Sequence, residues 1–142
     1  MTVHINIIAV IVAVFINFIL GFIWYAALFA KAWTKEMGYD PNMRPDKKAM
    51  LKGMVLMVIG NLLFAWVLAF YLAGWQYIPG AKEMSPFMLG INSAISVWVG
   101  FFVPVHLSRV VWEKHSWKLF FINSGYHWVA TVIVALILSY WI

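Results

Sequence analysis

The sequence contains no cysteine. That excludes disulfides, thiolate nucleophiles and cysteine-held metals, while leaving the compartment undetermined. Charge is scarce as well: 11% of the 142 residues are Asp, Glu, Lys or Arg, against about a quarter in soluble domains. The five acids, Glu36, Asp40, Asp46, Glu83 and Glu113, all fall between long apolar runs. No carboxylate is therefore placed within a span to drive the antiport chemistry of small multidrug transporters. No nucleophile–base pair, carboxylate pair or phosphate-binding loop is present, so a non-enzymatic role is expected. Met1-Thr2-Val3-His4 offers no basic leader region, and the apolar run that follows is too long for a signal-peptide core, which predicts a retained first span.

What is there in abundance is apolar and aromatic. The chain is 65% hydrophobic, with nine Trp, six Tyr and eleven Phe. Four long apolar segments predict an all-α integral membrane four-helix bundle. The expected arrangement is one transmembrane domain over residues 1–142, with spans at about 5–30, 51–78, 86–111 and 117–141 and a cytoplasmic connection over 31–50. Basic residues are unevenly placed: Lys31, Lys35, Arg44, Lys47, Lys48 and Lys52 lie around the first connection, Arg109, Lys114 and Lys118 around the third, and Lys82 alone in the second. By the positive-inside rule the first and third connections are cytoplasmic and both termini lie outside. These charges serve orientation and anionic headgroups, so membrane lipids are the expected partners, nucleic acid is not, and no other protein partner is specified.

Within the spans, small and polar residues recur every fourth position. The first span carries Ala9, Ala13, Asn17, Gly21 and Tyr25; the second Gly53, Asn61, Ala65, Ala69 and Ala73, with Met57 interrupting. The third carries Asn92, Ser96, Gly100, Pro104 and Ser108; the fourth Asn123, His127, Thr131, Ala135 and Ser139. In lipid, close backbone approach and interhelical hydrogen bonds drive association, so these ridges are predicted to face inward. Asn17, Asn61, Ser96, Asn123, His127 and Thr131 are thus the candidate polar-core or permeation contacts. An ionisable side chain within a span marks a functional candidate whose partner must be named. For His127 that partner is Asn17 or Asn61 if it holds helices together, or a proton or permeating solute if it is functional.

A haem held by His106 and His127 is set aside on depth, since counting along the helices separates them by roughly 9 Å. Copper held by Met50, Met54 and Met57, or by Met84 and Met88, lacks an accompanying cysteine. No cofactor or metal is expected. Pro45-Asp46 reads as the start of a short helix in the first connection and Ser85-Pro86 as the cap of the third span. Pro104 predicts a kink. Matching pairs, Gly21-Phe22 with Trp33 and Gly100-Phe101 with Trp112, suggest a duplicated helical hairpin. The aromatic load predicts a homo-oligomer.

Asn17-Phe-Ile-Leu-Gly21-Phe-Ile-Trp24-Tyr25, Phe29-Ala-Lys31-Ala-Trp33, Trp112-Glu113, Trp117-Lys118-Leu119-Phe120 and Ile122-Asn123-Ser124-Gly125-Tyr126-His127 resemble the first- and last-helix signatures of a family. It is the small four-helix bacterial membrane proteins catalogued as domain of unknown function seventeen sixty-one. The resemblance spans nearly the whole chain and departs where Ala26 and Ala27 stand in place of a frequent proline. It implies the four-helix fold and a bacterial inner membrane location, and it implies no activity. The preferred expectation is a structural or accessory membrane protein; the alternative is a small oligomeric transporter or channel with His127 and the asparagines in its polar core.

Overall fold

The computed structural model describes residues 4–141. Four helical units are long and apolar enough to cross a membrane: Ile7–Leu28, Lys47–Tyr77, Pro86–Trp112 and Trp117–Tyr140. The protein is an all-helical, multi-pass four-helix bundle.

The first unit begins with α1 (Ile7–Phe22), capped by Asn6, whose side chain accepts from the backbone N–H of Ile8 and Ala9. It widens into a π-turn over Ile23–Leu28, breaks at Phe29 and resumes as α2 (Ala30–Glu36). The sequence pattern predicted one unbroken helix here. The break instead turns Trp33 back over the bundle, against Tyr25 at a ring separation of 5.6 Å, rather than leaving it as a simple interface anchor.

The second unit, α3 (Lys47–Gly74), is one continuous helix. The short separate helix expected at Pro45-Asp46 is its beginning: Asp46 is the N-cap and accepts from Ala49 N–H, which places Pro45 just outside rather than in the first turn. A 3-10 turn over Trp75–Tyr77 ends the unit. Gly80 then takes a left-handed φ of 81°, open to glycine without strain.

The third unit is α4 (Pro86–Val97), a π-turn over Trp98–Phe102, and α5 (Val103–Trp112). Ser85 caps it, accepting from Met88 N–H, with Pro86 in the first turn, as expected. Pro104 does not sit in the middle of a regular helix. It lies in the first turn of α5, directly after the π-turn, where its missing N–H and ring bulk are accommodated by the widened backbone. The last unit, α6 (Trp117–Tyr140), is capped by Ser116.

α6 is the hub. It packs on α1, α3, α4 and α5, and 50% of its apolar window is buried, against 17–28% in the other three units. The dry core comprises Ala9, Val10 and Ala13 of α1, Ala65, Leu68 and Leu72 of α3, Ala94 of α4, and Val134, Ala135 and Leu138 of α6. At Gly90 of α4 the helices approach so closely that a Cβ would lie 2.9 Å from Leu136 Cδ2 and Ser139 Oγ of α6.

Three of the four ridges face inward over most of their length. Ala9, Ala13 and Asn17 are buried, as are Asn61, Ala65, Ala69 and Ala73, and Asn123, Thr131, Ala135 and Ser139; Gly21, Tyr25 and His127 are half-buried, and Gly53 of the second ridge is exposed. The third does not: Asn92, Ser96, Gly100, Pro104 and Ser108 are exposed, and Gly90, Ser93 and Ala94 are buried instead. The face of α4 that packs on α6 is instead the small one at Gly90, Ser93 and Ala94, which turns the Asn92 and Ser96 face away. Ser96 needs no partner on another helix, because its Oγ donates to the Asn92 carbonyl at 2.8 Å, the i−4 bond that hydroxyls make along their own helix.

Candidate functional site

Two tryptophans position the middle of α6. Trp24 Nε1, at the π-turn of the first unit, donates to the Ile122 carbonyl at 3.0 Å. Trp98 Nε1, at the π-turn of the third, donates to the Ser124 carbonyl at 2.8 Å. The Trp24 ring lies over Gly125, where a Cβ would stand 3.4 Å from its Cζ2. A larger residue at 125 would push the Trp24 indole off its carbonyl.

Directly below, the polar side chains hold one another. Asn17 Nδ2 donates to Asn61 Oδ1 at 3.1 Å, and Tyr126 OH donates to Asn17 Oδ1 at 3.3 Å, which joins α1, α3 and α6 in one buried chain of hydrogen bonds. Tyr25 OH donates to Asn123 Oδ1 at 3.0 Å. In a bilayer each bond satisfies groups that find no water. Thr131, fully buried, donates to the His127 carbonyl of its own helix and takes no part in this network. Ser96 lies outside it, on the exposed face.

His127 makes neither of the hydrogen bonds expected of it. Its ring stacks on Phe102, with centroids 4.3 Å apart and planes 10° from parallel, and on His106 at 5.1 Å and 28°. The separation of roughly 9 Å counted along the helices is therefore not what the rings experience. Side chains lean toward the N-terminus of their own helix. α5 and α6 run in opposite directions, so His106 leans up and His127 leans down until they meet. His106 is 4% exposed, and its Nε2 has no hydrogen-bond partner.

These groups surround a cavity of about 450 Å³. Its floor is Asn17, Asn61, Asn123 and Tyr126, and one wall is His106, Arg109 and His127. The other walls are apolar or aromatic: Phe18, Phe22, Tyr25, Trp33, Met54 and Met57. None of these residues is acidic, and Arg109 is the single formal charge. Beyond the floor, toward Ile7 and Tyr140, the Ala/Val/Leu core closes the bundle, so the cavity lies in the half of the bundle that holds Arg109.

Of the six predicted site residues the structure thus brings together Asn17, Asn61, Asn123 and His127, and leaves Ser96 and Thr131 apart. Tyr25, Trp33, His106, Arg109 and Tyr126 join the first four around the cavity. Tyr25 stands on the first ridge, and His106 and Arg109 share a helix face three residues apart, the two sequence signals that point toward this grouping.

A family model described as Protein of unknown function (DUF1761) matches residues 8–139. The chain belongs to this family. No curated protein and no solved structure matches it. The match takes in both signature stretches, and with them the Trp24 clamp, the asparagine network and the His127 stack, so membership covers the whole cavity while naming no activity for it.

Proposed function

We propose that the protein is a non-enzymatic membrane protein that binds a small molecule in the cavity between α3 and α5, on the cytoplasmic side of a bacterial inner membrane. The observation that carries this reading is the cavity itself: about 450 Å³, within the ~300–1,000 Å³ range of ligand sites, with apolar walls and a few convergent polar groups. A purely structural bundle has no need to keep such a volume open beside a packed core. The Asn and Tyr groups are fixed by each other, which suits recognition by shape and hydrogen bonding rather than bond-making chemistry. Transport is a second reading, favoured by the cavity's place in one half of the bundle with the other half packed shut. In the same proposal both termini lie outside and the protein self-associates in the bilayer.

The absence of cysteine makes the test direct. Asn61→Cys, on the cavity floor, is expected to react with a small methanethiosulfonate reagent in reconstituted vesicles. Ala69→Cys, buried in the packed half at 3% exposure, is expected to stay unreactive. Equal protection of the two would mean a closed, dry bundle and would end the binding reading.

A further inference from the structure

The cavity has a side entrance. From Lys47 to Gly60, every residue of α3 is exposed, about four helical turns with no packed face. A helix that rests on a bundle buries one stripe; α3 does so only from Asn61 onward, where Asn61, Ala65, Leu68 and Ala69 turn inward. A Cβ added at Gly53 or Gly60 would meet nothing within 4 Å. The gap ends at Phe64 of α3, whose ring meets Phe102 edge-on at 5.7 Å. Below that aromatic pair, α3 and α5 stand apart, with Met54 and Met57 on one side of the cavity and His106 and Arg109 on the other.

The charges around this opening are mostly basic, with Asp46 at the N-cap of α3 as the acid among them. Lys47, Lys48 and Lys52 lie on the exposed first turns of α3 and Arg44 just before them, at the same end of the bundle as Arg109. Among the described residues the single ion pair is His115 with Glu113, at 3.4 Å, so Arg109 has no carboxylate beside it. The cavity offers further donors: Asn61 and Asn123 each accept through Oδ1, and each keeps an amide NH₂. Arginine suits phosphate through its planar fork of donors, and basic side chains at a membrane surface attract anionic headgroups.

We infer that the α3–α5 gap admits an anionic phospholipid sideways from the cytoplasmic leaflet, its phosphate held by Arg109 and the α3 lysines and one acyl chain laid along Met54 and Met57. This rests on the binding reading above and names its ligand. Charge complementarity selects a lipid over a second copy of the chain: the copy would bring the same basic excess to face this one, with Asp46 alone against Arg44, Lys47, Lys48 and Lys52 at the start of α3.

The test is native mass spectrometry of the delipidated full chain titrated with dioleoyl phosphatidylglycerol or dioleoyl phosphatidylcholine. Phosphatidylglycerol is expected to bind about tenfold more tightly, and Arg109→Gln to remove most of that preference, at about fivefold per lost charge, whereas Arg109→Lys restores part of it. Lys82→Gln, on the opposite connection, should change nothing. Met57→Trp, at a half-exposed position that tolerates bulk, should fill the entrance and weaken both lipids. Equal binding of the two lipids, or an Arg109→Gln chain with full preference, overturns the inference. Displacement of the lipid by millimolar inorganic phosphate would assign the site to a free anion. A dimer that Met57→Trp dissociates would assign the gap to a second copy. In each of these cases a reactive Asn61→Cys leaves the cavity reading standing, so failure of the ligand assignment is distinguishable from failure of the site.

Discussion

Replacing Gly90 by alanine tests the packing on which the site rests. The added Cβ would sit 2.9 Å from Leu136 Cδ2, 2.9 Å from Ser139 Oγ and 3.3 Å from the Ala135 carbonyl oxygen. The first two are ends of side chains that can rotate, although Ser139 would lose its 3.0 Å bond to the Leu136 carbonyl. The third is backbone, and α4 must move off α6 by a few tenths of an ångström to relieve it. Overpacking a tight contact costs about 1–3 kcal/mol, and the helix-propensity gain of Ala over Gly returns at most ~1 kcal/mol. A net loss of up to about 2 kcal/mol is expected, read as a lower midpoint when the protein in bicelles is unfolded with SDS. Gly60→Ala is the internal control. Its Cβ meets nothing within 4 Å, so its midpoint should be unchanged or slightly higher. If Gly90→Ala matches Gly60→Ala, α4 and α6 are not in the close contact described, and the clamp of Trp98 on Ser124 loses its support.

The asparagine network predicts an asymmetry. In a double-mutant cycle of Asn17→Leu and Asn61→Leu, the coupling should be about 0.6 kcal/mol and at most ~1.7. Asn17→Leu alone should cost more than Asn61→Leu, because it also strands the Tyr126 hydroxyl; the reverse order would contradict the observed bonds. For orientation, single cysteines at Lys82 and His115 should label from opposite sides of intact cells, position 82 from outside and position 115 only after permeabilisation. Labelling of position 115 from outside would invert the orientation and place the cavity mouth on the other face.

Three kinds of information were written in the sequence with different clarity. Spans, caps and the inward ridges of the first, second and fourth units follow from composition and local chemistry: apolar length, Ser85 and Ser116 before helices, and small residues where backbones meet. The third ridge misled, because Asn92, Ser96 and Ser108 are polar in the right rhythm yet lie on the exposed face, and Ser96 satisfies itself along its own helix. The π-turns at Ile23–Leu28 and Trp98–Phe102 left no sign that a 3.6-residue pattern could register. Those turns set the relation between Trp24, Trp98 and α6, and hence the shape of the site.

The cavity was hidden for a deeper reason. Periodicity reports which residues are covered, and a void is made by residues that are not. Met54 and Met57 look like ordinary lipid-facing side chains, Arg109 like a topological charge, and His106 like an end-of-helix residue, until α3 and α5 are found apart. What places them around one space is the division of α3 at Asn61. On one side of that residue, Ala65, Leu68, Ala69 and Leu72 give α1 and α6 a surface on which to close. On the other, Gly53, Met54, Met57 and Gly60 offer flexible or absent side chains, and the helix stands free. Asn61, bonded to Asn17 at that boundary, is both the last packed residue and the first of the cavity floor. Leucine there would extend the dry core by one turn and cover the floor with apolar surface, so the same side chain that ends the packing also makes the space polar.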